Sequence, residues 1–150
     1  MRTVLSPRTI ARSGFRIRVA PITVPAGFPS PAQDYYNGDI DLTEMLIDDQ
    51  AATFIVRVSG HSMHDAGISD GDELLVDRSK SPHDGDVVVA VLDGELTVKR
   101  LRVITSQSRS RVVLQADNQE FPDLVVDELS ELQIWGVATY CLHRLRPRAG

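Results

Sequence analysis

Short apolar runs separated by turn residues dominate this chain beyond about residue 50, and they predict strands. Thr53 to Val58, Glu73 to Asp77, Val87 to Leu92, Glu95 to Val103, Arg111 to Gln115 and Gln133 to Leu142 each have the length and Val/Ile/Leu content of a strand. Ser69-Asp70-Gly71 marks a turn before the second run. Asp93-Gly94 joins the third and fourth, and this dipeptide signals a two-residue hairpin because both positions accept positive φ. One short helix is expected, about Leu42 to Ile47. Asp41 is placed to cap it, with Glu44 three residues on as in a capping box. Residues 1–38 read as extended or flexible, since Pro21, Pro25, Pro29 and Pro31 each bias the preceding residue away from helix. The expected fold class is mainly β, a folded sheet or partial barrel with a flexible N-terminal arm and one short helix.

The alternation within Glu95 to Val103 carries a chemical signal. It puts Thr97, Lys99, Leu101 and Val103 on one face and Val98, Arg100 and Arg102 on the other. The arginines are expected in water and the lysine inside. Of the 16 basic residues only Lys80 and Lys99 are lysine, so lysine is rare where charge alone would serve. Burial disfavours an ammonium and lowers its pKa, whereas an arginine stays charged. Lys99 is therefore a candidate general base. Its natural client is Ser62, in Val58-Ser59-Gly60-His61-Ser62-Met63. A serine after glycine is by default an ordinary strand-to-turn residue, but serine becomes a nucleophile when a base takes its proton. Backbone N–H groups of His61 and Ser62 are candidate oxyanion donors.

Other chemistries find less support. His61 and His64 are too close in sequence to Ser62 to present an imidazole to it, and nothing marks His83 or His143 as a base. No third ligand is spaced to make His61 and His64 a metal site, so no metal and no cofactor is expected. Cys141 is read as a small core residue of the last strand. A single cysteine excludes an internal disulfide framework and fits a reducing, cytoplasmic setting.

Charge divides the chain. Residues 1–26 hold five arginines and no acid. The remaining 11 basic residues stand against all 21 acidic ones, leaving −10 on residues 27–150. An acidic body is poorly suited to bind DNA on its own, because phosphate contacts need Lys and Arg. The arm has the composition of a transit peptide, but it lacks the apolar stretch of a secretory signal. No run approaches the roughly 18 apolar residues of a membrane span. Ala26-Gly27 falls at this charge boundary, with a small residue on each side of one peptide bond. That suits entry into a tight cleft, though a plain linker has the same composition.

Taken together, these segments resemble the UmuD branch of the LexA-like self-cleaving proteins, from about Val24 to the C-terminus. Gly27-Phe28-Pro29-Ser30-Pro31-Ala32 with Asp34-Tyr35 is similar to the segment after that family's cleavage point. Ser59-Gly60-His61-Ser62-Met63 resembles its nucleophile motif, Gly67-Ile68-Ser69-Asp70-Gly71-Asp72 the turn that follows, and Asp93-Gly94-Glu95-Leu96-Thr97-Val98-Lys99 the hairpin that delivers the lysine. The family's Cys-Gly cleavage pair is Ala-Gly here, as in LexA repressors. The arm resembles little of that family, and its arginines and Pro25 beside the scissile bond bear on how it would dock.

The resemblance implies a Ser62–Lys99 dyad, a scissile Ala26–Gly27 bond and a homodimer. It implies residues 1–26 as an arm removed by self-cleavage and 27–150 as a β-rich peptidase and dimerisation domain. It further implies cleavage stimulated by a RecA–single-stranded-DNA filament after DNA damage. The trimmed product would serve an error-prone Y-family polymerase subunit (UmuC-like) in translesion synthesis, with no sequence-specific DNA binding and no membrane. A LexA-like or phage-repressor-like regulator is the alternative; it needs a DNA-binding domain longer than the 26 residues before the cleavage site. Signal peptidase shares Ser-Lys chemistry but acts at a membrane. A dimerisation module with a dead dyad would require Ser62 or Lys99 to be mispositioned.

Overall fold

A computed structural model describes residues 16–20, 23–28 and 38–148. The chain divides into two compact units, Met1–Asp48 and Asp49–Gly150.

The first unit contains β1 (Arg16–Arg18), β2 (Asp39–Asp41) and the helix α1 (Leu42–Leu46). β1 and β2 pair antiparallel, Arg16 opposite Asp41, Ile17 opposite Ile40 and Arg18 opposite Asp39. Opposite charges thus face each other on both sides of an isoleucine pair, and Arg16 bonds the Asp39 carboxylate at 3.1 Å. Neither strand was expected, because three-residue strands give almost no periodic signal. Asp41 caps α1 as predicted, but its carboxylate accepts from the Thr43 amide at 2.8 Å rather than from Glu44, as a capping box requires. Much of the stretch expected to be extended, including Pro21, Pro29 and Pro31, lies outside the described residues.

The second unit is one antiparallel sheet. Its strands are β3 (Thr53–Arg57), β4 (Glu73–Asp77), β5 (Val87–Leu92), β6 (Glu95–Ser106), β7 (Arg109–Gln115), β8 (Leu124–Val126) and β9 (Leu132–Leu142), in the order β3-β4-β9-β5-β6-β7-β8. The last strand in sequence therefore lies centrally, between β4 and β5. β9 folds the sheet by carrying two extra residues. Trp135 is skipped in the pairing with β5 and Thr139 in the pairing with β4. Each bulge bends the strand and increases local twist. Between them Gly136 passes so close to β4 that a Cβ there would sit 2.5 Å from Val76 Cγ1.

Bending produces two cores. Val58, Met63, Ile68, Leu74, Val76 and Val89 form one; Val88, Ala90, Leu101, Leu114 and Val137 form the other. Val88 and Val89 are neighbours in β5 and seed separate cores because successive side chains point to opposite faces. The mainly β class expected from the sequence is the observed one. β6 runs three residues further than expected and β7 starts two earlier.

Candidate functional site

Ser62 sits in a loop whose shape is fixed by backbone and carboxylate bonds. Where β3 ends, the Val58 amide bonds the Asp72 carbonyl and the Gly71 amide bonds the Val58 carbonyl, both at 2.8 Å, closing the loop at its base. The Asp70 carboxylate accepts from the Gly60 amide at 2.7 Å, and Asp72 accepts from Ser69 at 2.8 Å. Gly60 has φ +93°, a left-handed conformation that a side chain would strain. Met63, 2% exposed, plugs into the first core and anchors the residue after Ser62. The next turn, His64–Ala66, is stopped by Gly67 at φ +80°.

Lys99 arrives from the other side on β6. The hairpin that aims it turns at Asp93 and Gly94 with φ +50° and +85°, as the Asp-Gly signal required. Asp93 is further held by exchanging bonds with the Glu131 backbone. Lys99 is 8% exposed, although it is a lysine. Its Nζ lies 3.1 Å from Ser62 Oγ, 2.8 Å from Thr97 Oγ1 and 3.2 Å from the Val98 carbonyl. These are hydroxyl and carbonyl oxygens; among the described residues Lys99 forms no bond to a carboxylate. Burial without a counter-ion pushes the Lys99 pKa below its ordinary 10.5.

The contact set suits both protonation states. An ammonium has three N–H donors for three acceptors. A neutral amine has two, which Thr97 Oγ1 and the Val98 carbonyl take, and its lone pair then faces the Ser62 hydroxyl. Only the Ser62 bond reverses between the states. Thr97 therefore orients the amine as well as lining the cleft. The sequence put Thr97 on the Lys99 face without assigning it this part. The pair opens into a cleft of about 320 Å³ lined by Val58, Gly60, Met63, Val89, Leu96 and Thr97 among others.

Both candidate oxyanion amides lie in the Ser62 loop. Among the described residues neither the His61 nor the Ser62 N–H has an intramolecular backbone acceptor. Ala26 and Gly27 lie in an exposed bend of the first unit.

Two expectations are corrected. Arg100 does not face open water. It is half-buried, its guanidinium bonding the Asp117 carboxylate at 2.8 Å and the Gly85 carbonyl at 2.6 Å, because the loop after β7 folds over the outer side of β6. Burial raises the Asp117 pKa, but the bonds from Arg100 and Gln115 outweigh it and hold the carboxyl below its usual range. Cys141 is not a core residue. It is exposed near the end of β9, and its thiol donates to Asp72 Oδ2 at 3.3 Å. Burial of the sulfur, then the Asp72 carboxylate, pushes the thiol up to about 11, so it stays protonated at neutral pH. Asp72 also binds His143, a pairing not anticipated from the sequence. His61 and His64 are exposed.

A serine hydroxyl against a buried lysine, at one end of a bent antiparallel sheet, is an arrangement of serine-peptidase type. The chain belongs to the peptidase S24-like family, whose profile matches residues 19–139, and within it to the UmuD-like branch. It is 46% identical to the protein ImpA of Salmonella typhimurium over 123 residues, covering 81% of this chain and 79% of that one. It is 44% identical to the protein MucA of Escherichia coli over 120 residues, 79% of each chain. Similarity extends to the LexA repressor of Aliivibrio salmonicida, 41% identical over 116 residues, or 77% of this chain and 54% of the repressor. Membership supports an autoproteolytic reaction of serine-peptidase type. No helix among the described residues is long and apolar enough to cross a membrane.

Proposed function

We propose that this chain is a cytoplasmic SOS-response protein that cuts its own Ala26–Gly27 bond, with Ser62 as nucleophile and Lys99 as base. The observation that carries this reading is the 3.1 Å contact between Lys99 Nζ and Ser62 Oγ in a cleft whose lining holds no carboxylate. Neutral Lys99 takes the Ser62 proton as Oγ attacks the Ala26 carbonyl carbon. The carbonyl oxygen becomes an oxyanion, received by the His61 and Ser62 N–H groups. Collapse breaks the C–N bond, and Lys99 returns the proton to the Gly27 nitrogen, freeing residues 27–150 with a new amine. Water, deprotonated by the same lysine, then opens the Ala26 ester and regenerates Ser62. Each chain reacts once, so the reaction is a switch.

Similarity to the UmuD-like relatives supports the wider setting. The protein acts as a homodimer, a RecA–single-stranded-DNA filament stimulates cleavage, and the trimmed form assists a Y-family translesion polymerase. Removing the arm takes five positive charges with it. The resulting −10 body is suited to a basic protein surface and not to nucleic acid.

Intact mass after incubation at about pH 10, where an amine begins to lose its proton unaided, tests the core of the proposal. The native chain should lose residues 1–26, and Ser62→Ala should stay whole. A different cut, or equal cleavage of Ser62→Ala, would overturn it.

A further inference from the structure

The His61–Ser62 peptide unit is gripped by its oxygen. The His61 carbonyl accepts from the Asn118 side-chain amide at 2.7 Å and from the His64 amide at 3.1 Å. In a trans peptide the carbonyl and the following N–H point in opposite directions and share one plane. Whatever fixes the His61 oxygen therefore aims the Ser62 N–H. Asn118 cannot readily rotate out of this task, because its Oδ1 accepts from the Glu120 amide at 3.0 Å, leaving the NH2 group toward His61.

Asn118 is itself held in place from β6. The preceding residue, Asp117, accepts from Arg100, the neighbour of Lys99 in sequence, and its backbone carbonyl accepts from the Asp65 amide at 2.8 Å. Gln115 adds a 3.0 Å bond to the same carboxylate. One continuous set of bonds thus links the outer side of β6, through Arg100, Asp117 and Asn118, to the peptide bond before Ser62. Lys99 projects from the inner side of that strand.

We infer that Asn118 is a positioning residue for self-cleavage, orienting the Ser62 N–H toward the oxyanion while Arg100 and Asp117 register it with the strand that carries Lys99. The inference rests on the Ser62–Lys99 reading above. Among the described residues Asn118 makes no bond to Lys99. Its loss should slow the chemical step without changing the pH at which the lysine becomes competent.

The test is the first-order rate of self-cleavage of the full chain, followed by intact mass across the alkaline pH range, beside melting temperatures. Asn118→Ala should lower the alkaline plateau about 10- to 100-fold, the range set by misaiming an oxyanion donor, with the midpoint of the pH–rate curve unmoved. Asn118→Asp should be at least as slow, since a carboxylate has no donor for the His61 carbonyl. Asn118→Gln, which keeps a donor on a longer stem, should recover part of the rate. If Asn118→Ala melts below the assay temperature, the near-isosteric Asn118→Asp decides. A plateau within twofold of native in the folded variants sinks the inference. So does a loss of rate accompanied by a shifted midpoint, which would mean that Asn118 acts on the lysine. Cleavage by Ser62→Ala would instead bring down the Ser62–Lys99 reading itself.

Discussion

At the scale of single residues, Lys99 is both the proposed base and a cost to the fold. Its pKa is pushed down by burial, so between its folded value and 10.5 the unfolded chain binds more protons than the folded one. Stability from this group therefore rises with pH across that window and is lowest below the folded pKa. On the proposed mechanism activity follows the same direction, because the neutral amine is then the base. The cleavage rate should climb about tenfold per pH unit below the folded pKa and level off above it, as for a single ionisation. A rate independent of pH between about 6 and 10 contradicts a lysine base whose folded pKa lies within that range. Lys99→Arg should not cleave, since a guanidinium does not give up its proton. Lys99→Met should also be inert, yet more stable at pH 7 by about 1 kcal/mol in denaturant melts, as when a functional group held at a cost is replaced by an apolar one. A destabilised Lys99→Met would mean that the bonds to Ser62, Thr97 and Val98 outweigh desolvation. How much of the site was legible turns on these residues. Rarity of lysine plus period-two alternation located Lys99, and Gly60 located the Ser62 turn. Asn118 was invisible because its partner, His61, is distant in sequence and neither residue type is unusual. Arg100 was misread because alternation assigns a face but cannot say that a later loop will cover it.

Elements tell the same story through their turns. Asp93-Gly94 has the residues that two positive φ values demand, so the end of β5 and the start of β6 lie where expected. The next hairpin turns at Gln107 and Ser108, with φ +48° and +67°, and neither residue type favours that conformation. With no turn signal to read, the sequence pattern ends β6 at Val103 and begins β7 at Arg111, although the ladder continues to Ser106 opposite Arg109. The far end of this hairpin is exposed, with Ile104 47% accessible, so alternation there has no core to enforce it. The double substitution Gln107→Asn with Ser108→Gly should therefore stabilise the protein by about 1 kcal/mol, by relieving the left-handed strain. Chemical denaturation gives the measure, and the cleavage rate should stay as it is because the turn lies at the opposite end of β6 from Lys99. An unchanged midpoint would mean that this turn is already frayed in solution. β8 was missed for a simpler reason: three residues are too few for a periodic signal.

For the whole molecule, the proposed cut after Ala26 raises the question of what would keep residues 1–26 attached. Among the described residues of the first unit, the arm's strand β1 meets β2 through three residue pairs and an Arg16–Asp39 ion pair at 3.1 Å. Before cleavage that pairing is intramolecular, and the connecting chain keeps the local concentration of β1 high. The proposed cut falls between β1 and β2, so it would remove the tether and leave only the contacts. A two-stranded ribbon this short is marginal in water. Both charges of its ion pair are exposed, and salt of about 0.15 M screens such pairs within some 8 Å. Asp39 is held below its usual carboxyl pKa, by the Arg16 hydrogen bond first, so the pair weakens further as acid protonates it. The arm should therefore leave after one cut, and the switch should not reverse. Gel filtration of freshly cleaved protein at about 0.15 M salt, with mass analysis of each fraction, should find the 26-residue fragment separated from the body. The body should also bind anion exchanger more tightly than the uncut chain, having gone from −5 to −10. A fragment that co-elutes at that salt would place its main hold elsewhere than the β1–β2 ribbon, and Asp39→Asn with Asp41→Asn would then leave its retention unchanged.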